Sequence, residues 1–178
     1  MKTRAAVSDE NVPWNEEQRM LKHFLCYYSL GVEKISLLRW PFLLAVRLYW
    51  GWQFVQTGWG KLHHITRTAG FFMSLNIPFP ATSAYLASGM ELFGGLLLIL
   101  GLASRLTGLL LAFDMLVAYW TADHGALVSI FSDPGKFYAA DPYTFLFASL
   151  MVLILGAGLF SVDALIAKRF SRLTTIAP

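Results

Sequence analysis

Ser83-Ala84-Tyr85-Leu86-Ala87-Ser88-Gly89-Met90-Glu91-Leu92-Phe93-Gly94-Gly95-Leu96-Leu97-Leu98-Ile99-Leu100 is a nearly unbroken apolar run with one carboxylate inside it. Crossing the hydrocarbon core of a bilayer takes about 20 residues of helix, so this run reads as a membrane span. Three more stretches read the same way: about Leu37 to Thr57, Leu106 to Ala122 and Tyr143 to Leu159. Three of the four carry a charged residue near the middle, namely Arg47, Glu91 and Asp114. Such a charge costs roughly 2.5–3.5 kcal/mol on insertion scales, so each is expected to face a partner or a wet cavity inside the bundle.

The rest of the chain supports this class. Of 178 residues, 56% are hydrophobic and only 14% charged, where a soluble domain carries about a quarter charged. The expected fold is all-α, an integral membrane four-helix bundle over residues 37–165. Residues 1–36 form an N-terminal extension with an interfacial helix, and residues 166–178 a basic tail near anionic headgroups. The extension's helix is expected to start at Asn15-Glu16-Glu17-Gln18 and to carry Met20, Leu21, Phe24, Leu25 and Tyr28 on one stripe. Acidic Asp9, Glu10, Glu16 and Glu17 argue against a cleavable signal, so insertion is expected to use the first span.

Asp141-Pro142 marks a helix start, and Gly101 followed by Ser104 marks a tight hairpin between the second and third spans. Basic residues outside the spans divide ten to three: Lys2, Arg4, Arg19, Lys22, Lys34, Arg39, Arg105, Lys168, Arg169 and Arg172 against Lys61, Arg67 and Lys136. That asymmetry places both termini in the cytoplasm. It also accounts for the net charge of +3 without any nucleic acid partner. The single cysteine, Cys26, excludes an intrachain disulfide or dithiol pair.

Within the first span and just beyond it, Arg47, Trp50, Gly51, Phe54, Gly58 and Lys61 fall along one helical stripe. Gly51 and Gly58 allow a neighbouring helix or a flat ligand to approach the backbone. His63 and His64 follow, but adjacent histidines point to different sides of a helix and no acid or cysteine completes a set, so no metal site is expected. Glu91 is expected to pair with Arg47, since a lone buried carboxylate would take up a proton. Two interpretations of that pair stay open. It fixes helix register, or it lines a polar pocket with Lys61 and His64 nearer the mouth.

Asp114 is positioned to offer a proton or a hydrogen bond to the interior. A relay through Asp123 and His124 would suit quinone or proton chemistry, although Asp123-His124-Gly125 reads somewhat better as a plain helix exit. The apolar residues between Asp123 and Asp141 are expected to fold back over the bundle as a cap.

Several motifs, in this order and spacing, resemble the DoxX family of small four-helix bacterial membrane proteins. They are Arg47-Leu48-Tyr49-Trp50-Gly51, Gly58-Trp59-Gly60-Lys61-Leu62, Glu91-Leu92-Phe93-Gly94-Gly95 and Gly101-Leu102 with Ser104-Arg105. Gly156-Ala157-Gly158-Leu159-Phe160-Ser161-Val162-Asp163 is similar to the family's terminal glycine-to-aspartate motif. The resemblance implies location in the bacterial inner membrane and partnership with other membrane subunits in redox work, as in thiosulfate:quinone oxidoreductase. Carried over by motif, Arg47, Lys61 and Glu91 are the family-like polar positions, and Asp163 caps or anchors the end of the last helix. No intrinsic cofactor site is expected, and quinone is the candidate diffusing ligand. An accessory or anchor subunit is the leading expectation, a quinone-interacting oxidoreductase subunit the alternative.

Overall fold

A computed structural model describes residues 16–174, which are all-helical with no strand among them. The chain divides into two compact units, Met1–Leu38 and Arg39–Pro178. In the first, helix α1 (Glu16–Leu37) carries the expected apolar stripe, with Phe24 stacked on Tyr28. Asn15, proposed to open that helix, lies outside the described residues.

The second unit holds α2 (Arg39–His63), α3 (Ile65–Ser74), α4 (Pro80–Leu100), α5 (Ser104–Thr121), the short α6 (His124–Val128) and α7 (Pro134–Ala139), α8 (Pro142–Leu155) and α9 (Val162–Thr174). Its long helices close a ring in which α2 packs on α4, α4 on α5, α5 on α8 and α8 on α2. Small residues set the two tightest contacts. A Cβ at Gly58 would sit 2.5 Å from the Leu92 nitrogen and 2.7 Å from the Ser88 oxygen, and one at Gly95 would sit 2.7 Å from the Gly51 oxygen. Across the ring, a Cβ at Gly108 would lie 2.9 Å from the Ser149 oxygen. Neighbouring helices, not a flat ligand, therefore occupy the space beside Gly51 and Gly58.

Phe54, Leu98, Leu111, Met115, Tyr119 and Val152 fill the interior. The segment after α5 behaves as a cap: Phe137 is buried, its ring 4.8 Å from that of Tyr119, whose hydroxyl donates to the Phe137 carbonyl at 2.8 Å.

Three features depart from the expectations. Helix α2 continues past Thr57 to His63, and a further helix, α3, follows at once after His64 leaves helical geometry at ψ 41°. The polar residues around Lys61 mark a change of surroundings rather than a helix end. Helix α8 stops at Leu155, short of the expected Leu159, because Gly156 (φ 78°) and Gly158 (φ 79°) turn the chain. The basic tail is helical through Thr174 and begins at Val162. Among the described residues, α4 is the one helix long and apolar enough to cross a membrane by length and composition; α8 is apolar but shorter.

Candidate functional site

Helix α2 delivers two cations to opposite ends of the same unit. Arg47 is buried, and its guanidinium is spent on backbone carbonyls: Nε donates to Leu98 at 2.9 Å, Nη2 to Ile99 at 3.0 Å, and Nη1 to Ala157 and to Phe160, the latter at 3.0 Å. Leu98 and Ile99 belong to the last turn of α4, where carbonyls have no partner within the helix and carry its partial negative charge. Ala157 and Phe160 lie in the glycine turn after α8. Gly101, at φ 68°, adopts a left-handed turn pressed against the guanidinium, a place where any Cβ would collide.

Asp163 completes this end. Its Oδ1 accepts the Ala103 N–H at 2.7 Å and its Oδ2 the Ser104 N–H at 2.9 Å, capping α5 from a residue sixty positions away. Burial pushes the Asp163 carboxyl up, but the Ser104 and Ala103 N–H bonds and the nearby Arg47 charge together hold it below its usual range. The expected capping role of Asp163 thus falls at the start of α5, not at the end of the last span.

The expected Arg47–Glu91 pair does not form. Glu91 lies two turns before Leu98, about 10 Å back along α4, so an arginine that reaches the end of α4 cannot meet it. Its partner is Lys61, about 21 Å further along the same stripe of α2, with Nζ 2.5 Å from Glu91 Oε1. Glu91 is 2% exposed, whereas the Lys61 side chain is 39% exposed. Asp114 joins them from α5. Gly94 abuts Leu111 across the antiparallel α4–α5 contact, and one turn further along each helix brings Glu91 opposite Asp114. The charged neighbours of Asp114 are accordingly Glu91 and Lys61. Both carboxylates keep a buried oxygen without a hydrogen-bond partner, Glu91 Oε2 and Asp114 Oδ2.

These three residues line a cavity of about 620 Å³ between α3, α4 and α5. Phe71 and Phe72 from α3 with Leu75 just after it, Leu86 and Met90 from α4, and Phe113 and Val117 from α5 make its walls apolar, with exposed Arg67 at the rim. The volume suits a small organic ligand, and the lining follows the usual plan of apolar walls with few polar groups.

His64 does not belong to the site: it is exposed and off the cavity wall. Neither do Asp123 and His124. Asp123 offers its carbonyl to Ala126 and Leu127 at the start of α6, and His124 packs edge-on against Trp120, so the exit reading fits and the relay does not assemble. Among the described residues no group of three or more His, Cys, Asp or Glu side chains gathers in metal-binding range. Arg67 and the α3 wall went unnoticed in the sequence; the signal was there in Thr68, Phe71, Phe72 and Leu75 at helical spacing.

Comparison with known proteins meets this geometry at the cavity. Residues 42–124 match the DoxX family, a segment that runs from α2 through α5 and contains every residue of the site. This part of the chain is similar to DoxX domains. Proteins of the family are membrane proteins, and the apolar α4 accords with a membrane location. The chain is also 28% identical over 126 residues to a Bacillus subtilis (strain 168) protein named "Putative oxidoreductase CatD", an overlap covering 70% of this chain and 87% of that one. No solved structure matches the chain.

Proposed function

We propose that this DoxX-like protein is a multi-pass membrane subunit of an oxidoreductase system, and that its cavity receives a quinone. The observation that carries the proposal is the Lys61–Glu91–Asp114 group at the wall of an otherwise apolar cavity. A quinone is a flat apolar ring with carbonyl oxygens that gain negative charge on reduction. Apolar side chains from α3, α4 and α5 suit the ring, and a fixed ammonium beside a developing oxyanion stabilises it most where water is excluded. Glu91 and Asp114 supply the acid and base groups such chemistry uses. Electrons come from a partner subunit, in keeping with the oxidoreductase name of the Bacillus relative.

In this reading α2, α4, α5 and α8 cross the bacterial inner membrane with both termini in the cytoplasm, the side favoured by the ten-to-three division of basic residues. Helix α8 has 14 residues, about 21 Å, and so falls short of the hydrocarbon core. The turn after it makes up the distance. Irregular backbone is tolerated at membrane depth when its polar groups are met, and Arg47 meets the Ala157 and Phe160 carbonyls.

The test is purification from the native membrane in mild detergent, followed by lipid extraction and mass spectrometry of copurifying proteins. Stoichiometric quinone, lost in Lys61→Met and Glu91→Gln, supports a quinone site. A constant set of partner subunits without quinone would make the chain an accessory or anchor subunit instead.

A further inference from the structure

The group at the cavity wall is one positive charge short. Lys61 supplies a single ammonium, bound to Glu91 Oε1, while the register of α4 against α5 sets a second carboxyl, Asp114, opposite the first. Glu91 is 2% exposed, and its Oε2 and Asp114 Oδ2 are both buried with no donor. A buried acceptor without a donor is costly, and an unpaired negative charge in an apolar setting more so.

Among the described residues, the groups that face Asp114 include no second cation paired with it. Lys61 comes from α2, Glu91 from α4, and exposed Arg67 from α3 stands at the cavity rim. On Asp114's own helix, Tyr119 commits its hydroxyl to Phe137. Helix α8 meets α5 through Ser149 beside Gly108, and that hydroxyl donates within its own helix to Phe145.

We infer that Glu91 and Asp114 hold one exchangeable proton between them, with Lys61 balancing the single negative charge that remains. The cluster is then neutral, and a carboxyl O–H supplies the donor that the buried oxygens lack. The inference does not depend on quinone being the ligand, because the pair holds its proton in the empty cavity.

The experiment uses the full chain, purified in detergent and stripped of lipid. Infrared spectra across pH should show a protonated-carboxyl C=O band that disappears as pH rises. It should be absent in both Asp114→Asn and Glu91→Gln, since either leaves one carboxylate satisfied by Lys61. Lys61→Met should strengthen the band and carry it to higher pH. Dicyclohexylcarbodiimide, which adds to protonated carboxyls in apolar surroundings, should then place one adduct per chain on Glu91 or Asp114. Lack of the band in the folded wild-type protein at every pH, or a band unchanged in both carboxyl variants, overturns the inference. Helical circular dichroism confirms that each variant is folded, and the wild-type titration needs no variant at all. Quinone retention is measured separately, so either reading can fail alone.

Discussion

Arg47 and Lys61 lie on one stripe of one helix and do opposite things. Around Arg47 the charged groups are met: the guanidinium reaches four carbonyls, and Asp163 ties down two N–H groups beside it, leaving one neutral hydroxyl, Ser104 Oγ, without a partner. Around Lys61 the accounts stay open, with two carboxylate oxygens unpartnered next to a cavity. Buried polar groups are nearly always satisfied, so a pair of exceptions at one cavity wall is a stronger pointer to chemistry than the charge itself. A buried arginine whose donors all find carbonyls is architecture, however expensive its burial.

The sharpest way to break this contrast is Arg47→Met. Removing the guanidinium takes the donor from the Ile99 carbonyl of α4 and from carbonyls of the 157–160 turn, and hydrogen bonds to charged groups are worth about 1.5–3 kcal/mol each. Loss of about 3–5 kcal/mol of stability in detergent unfolding is expected, with Arg47→Lys recovering only part of it. Quinone content per folded molecule should not change. A stable Arg47→Met protein that has lost its quinone would reverse the assignment of the two ends.

Gly58 tests how the open end is held. It lets α2 and α4 touch one turn from Lys61, and Gly58→Ala should cost about 1–3 kcal/mol because the new methyl meets backbone that cannot yield. Gly60→Ala is the control, since nothing lies within 4 Å of a Cβ there. Equal effects in the two variants would show that the α2–α4 contact is looser than drawn.

Much of this was legible in the sequence. Apolar runs announced an all-helical chain, Gly101 and Ser104 announced the hairpin, isolated charges in apolar runs singled out Arg47, Glu91 and Asp114, and the helical stripe from Arg47 added Lys61. The partner of Glu91 was not legible, for a geometric reason. Helical periodicity says which face Arg47 and Lys61 share but not which depth on α4 each meets; only the register of the Gly51–Gly95 and Gly58–Ser88 contacts decides that. Helix α3 was hidden because it is short and opens with polar Thr66, Arg67 and Thr68. The early end of α8 was hidden because Gly156 and Gly158 are compatible with either an apolar span or a left-handed turn; the structure shows the turn, with Arg47 bound to the Ala157 carbonyl between them.

A double-mutant cycle on Lys61 and Glu91 sharpens the contrast at intermediate scale. Glu91→Gln strands an ammonium, and a loss of about 1–2 kcal/mol is expected, smaller than for a fully buried pair because Lys61 is 39% exposed and partly solvated. Adding Lys61→Met should restore part of the loss. Combining Glu91→Gln with Arg47→Met should instead be additive, because the two residues do not touch. Coupling in the second cycle and none in the first would return Arg47 to the cavity.

Asp163→Asn should have the smallest effect, and its pH dependence identifies its cause. An N-cap is worth about 1 kcal/mol, and asparagine can accept one of the two N–H bonds while its amide nitrogen opposes the other. The folded carboxyl titrates below its ordinary value, so its contribution is fully present above the unfolded carboxylate pKa of about 3.9 and fades as pH falls through the lower folded value. Unfolding measured from neutral to acid pH should therefore show wild type more stable than Asp163→Asn at neutrality, with the two curves converging on the acid side. A gap that persisted undiminished in acid would mean that Asp163 acts by shape and not by charge, and that the closed end owes its rigidity to Arg47 alone.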